Sequence, residues 1–328
     1  MMSKRDMRFL AEIDSDSRRP LSAIAGSLGI SQQLASYKLR SLQDDGVLGG
    51  FYTVVDYSRL GYSCFRVYFS VNYSSSEQFR ELIKSINGNP YAIEVNECGG
   101  RWDLVVAFLS RNASRFNKIL RSIITENPPL KNYDVVTNVV SHCFGRKYLG
   151  CRPVDIIVGG DREPVDIPAR EMAVLAEILT DARVPLAEIS RKLKINPKTA
   201  QSAISRLGQR EVIKGFRPVI DPARIGYARN RMLVKYHNLS PEREKEMVSY
   251  CRTAGPVTGI NKVLGKWDLE IELEARPGKE LRSACMAIRE GFQDIIKESE
   301  VIELFSLSKK SLLTREALGE SRGWMVKE

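Results

Sequence analysis

Two segments of the chain combine amide, hydroxyl and cationic side chains at helical spacing, a combination suited to hydrogen bonding with DNA base edges. In the first segment the predicted outward residues are Gln32, Gln33, Ser36, Tyr37 and Arg40, with Lys38 beside them near the helix backbone. In the second segment they are Lys198, Thr199, Gln201, Ser202 and Ser205, and a basic cluster precedes them at Arg191, Lys192 and Lys194. Glutamine pairs bidentately with adenine, and arginine pairs with guanine or phosphate. The alternative is that both segments are solvated polar faces of ordinary packing helices.

The flanking residues favour a DNA-contacting role, because each segment is the third helix of a helix-turn-helix pattern. Apolar residues from Met7 to Ile13 predict a first helix, and Leu21–Leu28 predicts a second that ends at Gly29. Ser31 caps a third helix that runs to about Asp45. The following residues, 47–55, predict a short β-hairpin or wing. Such a third helix lies in the major groove and presents its outer residues to the bases.

The pattern occurs twice because the whole unit is duplicated at an offset of 165 residues. Residues 10–62 align with residues 175–227 without a gap, and 21 of these 53 positions are identical. Gly100–Asp103 still aligns with Gly265–Asp268 at the same offset. The period is far longer than that of a solenoid repeat, so each copy is expected to be a complete folding unit.

Alternating apolar residues after each helix-turn-helix predict the element order βαββαβ, which is that of a ferredoxin-like sheet with two helices on one face. The predicted fold class is α+β, with two winged helix-turn-helix domains alternating with two ferredoxin-like domains. The predicted divisions are helix-turn-helix domains at 1–55 and 169–220, ferredoxin-like domains at 62–149 and 227–310, a linker at 150–168 and a C-terminal tail at 311–328. A short added strand is expected within the linker, at residues 155–158.

Composition argues against several other classes of protein. The net charge of +10 and the calculated pI of about 9.3 favour an anionic partner such as double-stranded DNA. The six scattered cysteines form no C-x-x-C pair and the chain has only two histidines, so we predict neither disulfides, a metal site nor a bound cofactor. His142 is expected to be a structural histidine. The charged N-terminus and the short apolar runs predict a cytoplasmic protein without membrane spans, and no catalytic constellation is apparent.

The helix-turn-helix, the segment ending in Gly61-Tyr62 and the Gly-[Arg/Lys]-Trp-Asp hairpin together resemble the Lrp/AsnC regulators, over nearly the whole chain and twice. The resemblance implies a sequence-specific transcriptional regulator whose DNA binding or assembly responds to a small effector, such as an amino acid, held between paired βαββαβ modules. The family's hairpin motif has Tyr where this chain has Trp. The implied effector residues are Asn96, Gly100, Trp102, Asp103, Asn261, Gly265, Trp267 and Asp268. The alternative is that the glycines and aspartates build the turn while the tryptophans pack in the core.

The chain departs from the family in two ways. The family usually carries one unit per chain and dimerises, whereas this chain is expected to form an intrachain pseudo-dimer, with higher homo-oligomers left open. The basic residue common in the family's recognition helix is Lys38 in the first copy but Ala203 in the second, so the two helices are expected to recognise different half-sites. Two other functions remain: an enzyme resembling the sirohaem decarboxylases, which share the architecture, and a sensor that has lost DNA binding.

Overall fold

The computed structural model describes residues 2–150 and 155–324, in which the two copies follow the predicted element order. The elements of the first copy and its connection are α1 (Lys4–Ser15), α2 (Leu21–Leu28), α3 (Gln32–Asp44), β1 (Leu48–Val55), β2 (Ser63–Val71), α4 (Ser76–Gly88), β3 (Ala92–Gly99), β4 (Leu104–Ser110), α5 (Ala113–Glu126), β5 (Leu130–Cys143) and β6 (Ile156–Gly159). The elements of the second copy and the C-terminus are α6 (Ala169–Thr180), α7 (Leu186–Leu193), α8 (Pro197–Gln209), β7 (Ile213–Ile220), β8 (Ala228–Tyr236), α9 (Pro241–Thr253), β9 (Val257–Gly265), β10 (Leu269–Ala275), α10 (Lys279–Gly291), β11 (Ile296–Lys310) and α11 (Arg315–Trp324). The α+β class and the duplicated architecture are therefore confirmed.

The third helix of each copy begins at a side-chain cap. The Ser31 hydroxyl accepts a hydrogen bond from the Leu34 backbone N–H at 3.1 Å, and the Asn196 side chain accepts one from the Lys198 backbone N–H at 2.8 Å. Gly29 ends α2 in the left-handed region at φ +65°, and Lys194 adopts the same region at φ +52° in the second copy. These turns fix the angle at which α3 and α8 leave the preceding helices.

The strand that follows each helix-turn-helix pairs with its counterpart in the other copy, so the alternative of a local hairpin is wrong. β1 and β7 form a two-stranded antiparallel ribbon, the wing ribbon, with Tyr52 opposite Arg217 at its centre. These two positions are equivalent at the offset of 165. A lone strand leaves its backbone donors and acceptors unpaired, and each copy satisfies them with the other's strand. The ribbon joins the two helix-turn-helix units around a pseudo-two-fold axis.

The two βαββαβ modules are joined edge to edge into a ring of eight strands. Each module has the ferredoxin-like order, β5-β2-β4-β3 in the first and β11-β8-β10-β9 in the second. The last strand of each module pairs with the second strand of the other, β5 with β9 and β11 with β3. The two sheets therefore form hydrogen bonds along their edges as well as packing face to face. The sequence predicted only the face-to-face packing. Because the ring is closed, each of its eight strands has a neighbouring strand on both sides.

The ring encloses an aromatic core on the pseudo-two-fold axis. Trp102 and its equivalent Trp267 are buried with ring centroids 5.4 Å apart, and Tyr68 lies 4.7 Å from Trp267. The opposite faces of the sheets bury two further cores under their helices, α4 and α5 in the first module and α9 and α10 in the second. Each module therefore has one core of its own and shares the aromatic one.

The predicted linker and tail both contain regular structure. β6 lies at 156–159, one residue from the expected strand, and pairs with β5; residues 151–154 of the linker, including Cys151, lie outside the described residues. The tail forms α11, whose Ala317 and Leu318 are buried in the same core as α6. In the parts of the chain that the structure describes, no helix is both long and apolar enough to span a membrane.

Candidate DNA interface and axial cavity

The outer face of α3 is exposed, as a base-contacting helix requires. Gln32, Gln33, Tyr37 and Arg40 are exposed and Ser36 is half-buried, while the opposite side of α3 is anchored in the core. The Tyr37 side chain is among the most exposed large side chains of the chain, at 69%. Within the described residues, the Arg40 guanidinium has no hydrogen bond or ion pair, so it is free to reach a base or a phosphate.

Lys38 is placed differently, since its ammonium forms an ion pair with the Asp6 carboxylate of α1. The equivalent acid in the second copy is Glu171, which binds Arg206 at 2.6 Å and Arg210 at 3.2 Å. The same acid therefore ties the first helix to the third in both copies, through different cations. This explains how Ala203 can stand where the first copy has Lys38. The sequence contained evidence for this ion pair, because Asp6 and Glu171 are equivalent acids at the offset of 165.

The second recognition helix also presents polar groups to solvent. Lys198, Gln201, Ser202 and Ser205 are exposed and Thr199 is half-buried. In the basic cluster, Arg191 and Lys194 are exposed without an ion pair to any described residue. Lys192 instead binds Glu188 at 3.0 Å and Glu177 at 3.2 Å. The cluster thus offers two uncommitted cations and one that is already neutralised.

The aspartates and glycines of the two hairpins predicted to hold an effector have structural roles. The Asp103 and Asp268 carboxylates accept hydrogen bonds from the backbone N–H groups of Val71 and Tyr236, each at 2.8 Å. Gly100 has φ +114°, and a Cβ on Gly265 would lie 2.8 Å from the Val135 carbonyl oxygen. Both aspartates therefore pin the hairpin to the neighbouring strand.

The tryptophans are the predicted effector residues that the structure does bring together. Their indole N–H groups are already bonded, Trp102 to Asp134 at 3.0 Å and Trp267 to Glu270 at 3.1 Å. With Arg101 and Lys266 they border an open depression on the surface. An effector role for the hairpins remains a prediction, since the side chains have structural partners.

Asn96 and Asn261 lie among buried charges, and Asn261 donates at 3.4 Å to the Glu270 carboxylate that also accepts from Trp267. Asn96 donates to Glu94 at 2.8 Å and accepts from Arg229 at 2.9 Å. Asn261 donates to Glu272 at 3.2 Å and accepts from the Ser141 hydroxyl at 2.6 Å. Glu270 therefore connects Asn261 with the tryptophans, while Asn96 is bonded to Glu94 and Arg229.

Asn261 lines a cavity that the sequence analysis did not predict. This axial cavity, of about 170 Å³, lies between the wing ribbon and the strand ring and is lined by both members of several equivalent pairs, including Tyr52 with Arg217 and Gly145 with Lys310. Its charged wall residues are basic Arg66, Arg146, Arg217, Arg229 and Lys310 and acidic Asp14, Glu94, Glu272 and Glu274. His142 is also in the wall, with Nδ1 2.9 Å from the Asp155 carboxylate. No local motif marks these residues, because they come from distant strands.

Ion pairs oppose the effect of burial on several of these groups. Arg146 binds Asp14 and Glu274, each at 2.8 Å. Burial acts to raise the pKa of Glu94, but Lys310 and Arg231 outweigh it and hold that pKa well below its usual range. Burial likewise acts to lower the pKa of Lys310, and the Glu94 carboxylate raises it above its usual value. The wall is therefore a set of fixed charges of both signs.

Comparisons with known proteins agree with this architecture. The winged helix-turn-helix DNA-binding family matches residues 169–214. The transcriptional regulator AldR of Mycolicibacterium smegmatis is 32% identical over 124 residues, which cover 37% of this chain and 70% of AldR. The regulator FL11 of Pyrococcus horikoshii is 25% identical over 115 residues, covering 35% of this chain and 75% of FL11. Each match is shorter than one 165-residue unit, as expected for relatives that carry the unit once.

A solved structure shares the full tandem architecture. The siroheme decarboxylase NirDL superposes with a TM-score of 0.62 over 98% of this chain and 99% of its own, at 15% sequence identity. At that identity the likeness establishes the fold alone. The sequence relatives carry the family assignment. The chain belongs to the Lrp/AsnC family of DNA-binding transcriptional regulators, in a tandem form with two of the family's units.

Proposed function

We propose that this protein is a cytoplasmic, effector-responsive regulator that recognises two unlike half-sites on double-stranded DNA. The observation that carries the proposal is the difference between the exposed faces of α3 and α8. The first offers amides, a phenol and a guanidinium that has no ion pair within the described part of the chain; the second offers an ammonium, an amide and hydroxyls. A homodimer presents the same helix twice and favours a palindrome, whereas one chain with two different helices does not.

The two units also differ in whether they are better suited to contact bases or phosphates. Arg40 has the length and freedom to pair bidentately with guanine. The second unit has Arg191, Lys194 and Lys198 exposed around the start of α8, where cations meet phosphates. We therefore assign most base recognition to the first unit and most of the phosphate contacts to the second.

Selection of bound sequences from a random DNA pool tests this proposal. We expect a site with two different halves, and we expect Arg40→Ala to relax one position within one half only. Gln201→Ala serves as the matched variant in the other unit and should relax a position in the other half. Recovery of a perfect palindrome would refute the unlike half-sites. Failure to enrich any sequence, together with no salt-dependent DNA shift, would leave a sensor that does not bind DNA.

The likeness to siroheme decarboxylase NirDL makes an enzyme the second candidate. The axial cavity, at about 170 Å³, lies below the range of roughly 300–1,000 Å³ typical of sites for drug-sized ligands, and its basic wall residues are largely neutralised by acids. A tetrapyrrole would therefore need the open depression beside Trp102 and Trp267, whose volume is about 650 Å³. Titration of the protein with sirohaem separates the two functions: saturable binding with loss of carbon dioxide would favour the enzyme.

A further inference from the structure

We infer that the surface beside the end of β11 is a docking site at which an extended peptide of a partner protein adds one strand to the sheet. This surface, the β11 seat, is formed by residues 306–310 of β11, by Asp221 with the turn Pro222–Ile225 that follows it, and by Gly50 of β1. The inference goes beyond DNA recognition, since it concerns a protein partner and uses no residue of α3 or α8.

The first copy shows how such a seat is filled. Beyond the last pair with β2, residues 140–143 of β5 pair with β6 of the linker. The Gly159 N–H donates to the Asp56 carboxylate at 3.0 Å, and the Arg162 guanidinium lies 3.4 Å from the same carboxylate. The linker therefore adds a strand to the ring and fastens it to the turn Tyr57–Leu60, which begins after Asp56.

The second copy has the matching edge. The residues of β9 that pair with 140–143 are equivalent, at the offset of 165, to residues 94–97 of β3, and these pair with 306–310 of β11. β8 pairs with β11 only as far as Leu304, so no described strand lies beside 306–310 on that side. Backbone donors and acceptors at such an edge are a template for an added strand. The bulge at Ser308 disfavours pairing with an arbitrary flat strand, so the surrounding side chains select the peptide.

Equivalent polar residues are buried in the first copy and exposed in the second. The Asp56 side chain is fully buried against the linker, whereas the side chain of its equivalent, Asp221, is 47% exposed. Arg59 and its equivalent Arg224 are 20% and 62% exposed. The surface that the linker covers in the first copy is therefore accessible in the second.

The wing ribbon shows the same contrast. A Cβ placed on Gly215 of β7 would lie 3.3 Å from the Ile156 side chain of β6. A Cβ on the equivalent Gly50 of β1 would meet no described atom within 4 Å. The β11 seat thus has room for a peptide between the edge of the ring and the wing ribbon.

The linker also indicates which peptide fits the β11 seat. Val158 lies opposite Ser141, and both line the axial cavity. By its pairing with β3, Leu307 takes the place of Ser141, and it lines the same cavity, so an aliphatic residue opposite Leu307 would pack against it. The Asp221 carboxylate takes the place of Asp56 and would accept from a backbone N–H and an arginine. The expected ligand is an aliphatic-x-aliphatic segment followed by two glycines and, two residues later, an arginine.

This segment must come from another protein. In the described part of the chain, the residues after β11 lead into α11, whose Ala317 and Leu318 are buried with α6 in the core of the second DNA-binding unit. A second copy of the chain could supply its own linker only by breaking the pairing of β6 with β5. A partner with a free extended segment has no such cost.

The test uses the full chain, a fluorescein-labelled peptide of residues 155–163 as the probe, and fluorescence anisotropy. We expect saturable binding of one peptide per chain. Asp221→Asn should weaken it about tenfold or more, because a charge-assisted hydrogen bond is lost. Asp56→Asn is the matched variant of the first copy and should leave the affinity within about twofold. The substitution Val158→Asp in the peptide should also weaken binding at least about tenfold, because it places a charge against Leu307.

Several results would overturn the inference. One is the absence of saturable binding, and another is equal weakening by Asp56→Asn and Asp221→Asn, which would mean that the peptide exchanges with β6. Binding that appears only after removal of residues 325–328 would assign the seat to the chain's own end. Dissociation of a dimer by the peptide, followed by sedimentation, would assign it to a second copy. Circular dichroism checks that both variants fold, and the Val158→Asp peptide tests the seat on the unchanged chain.

Discussion

The salt dependence of DNA binding offers a quantitative test of the second recognition unit. Arg191, Lys194 and Lys198 are exposed and have no ion pair to any residue that the structure describes, whereas Lys192 is bound by Glu177 and Glu188. Each phosphate contact adds about 0.9 to the slope of log K against log salt. Replacing any one of the three unpaired residues with methionine should therefore lower the slope by roughly one.

The expected effect is large enough to measure by fluorescence anisotropy between 50 and 200 mM salt. Over this fourfold range one phosphate contact changes the affinity by a factor of about 3.5. The fall in affinity between the two salt concentrations should therefore be roughly 40-fold smaller for the triple variant than for the unchanged chain. Lys192→Met should change the slope by less than the others, because two carboxylates already neutralise that ammonium. Lys245→Met removes an exposed charge from α9, where Lys245 has no ion pair to a described residue, and controls for net charge.

Two results would refute this reasoning. If Lys245→Met lowers the slope as much as Lys198→Met, binding depends on overall charge and not on the surface around α8. If none of the three unpaired residues affects the slope, they form a solvated face and α8 does not approach DNA. Equal slopes for Lys192→Met and Lys194→Met would show that the ion pairs of Lys192 open on binding.

Four other expectations follow from the structure. Arg40→Ala should cost about 1–3 kcal/mol of binding free energy at the preferred site and less at unrelated DNA; equal losses on both would point to a phosphate contact. In dilute solution, crosslinks between residues 62–145 and 227–309 should appear in monomer-sized gel bands, and their confinement to larger bands would mean that the modules pair between chains. Trp102→Ala should lower the free energy of unfolding by about 3–5 kcal/mol, checked by urea denaturation, and an effect below 1 kcal/mol would contradict its packing role. Burial raises the pKa of the Cys251 thiol to about 12, so its contribution to stability falls as pH rises from 9 to 12; alkylation at pH 8 should be slow in the native chain and fast in urea.

Local patterns were sufficient to predict the elements of the fold. Helix caps, apolar spacing and turn glycines fixed the helix-turn-helix units, and the bounds of α3 agree with the expected helix within a residue. The repeat predicted the second copy from the first. These signals are local because each depends on neighbours within one or two turns.

The connections between the copies could not be predicted in this way. Edge pairing of β5 with β9 and of β1 with β7 depends on which free edges meet in space, and alternation within a strand does not specify its partner. The role of Lys38 was missed for the same reason, since its partner Asp6 lies 32 residues away. The axial cavity was missed because Arg66, Arg217 and Glu272 converge from three separate parts of the chain.

The exchange of edge strands between modules has a consequence for biosynthesis. When β5 leaves the ribosome, the edge of β3 still lacks its partner, because β11 ends 167 residues later. At about 5–20 residues per second, the first module waits on the order of ten to thirty seconds with that edge open. On an mRNA that several ribosomes translate at once, the open edge of β3 can pair with the second module of a neighbouring nascent chain and produce a domain-swapped dimer. The fusion that makes the mature pair intramolecular therefore leaves the growing chain dependent on the speed of its own translation.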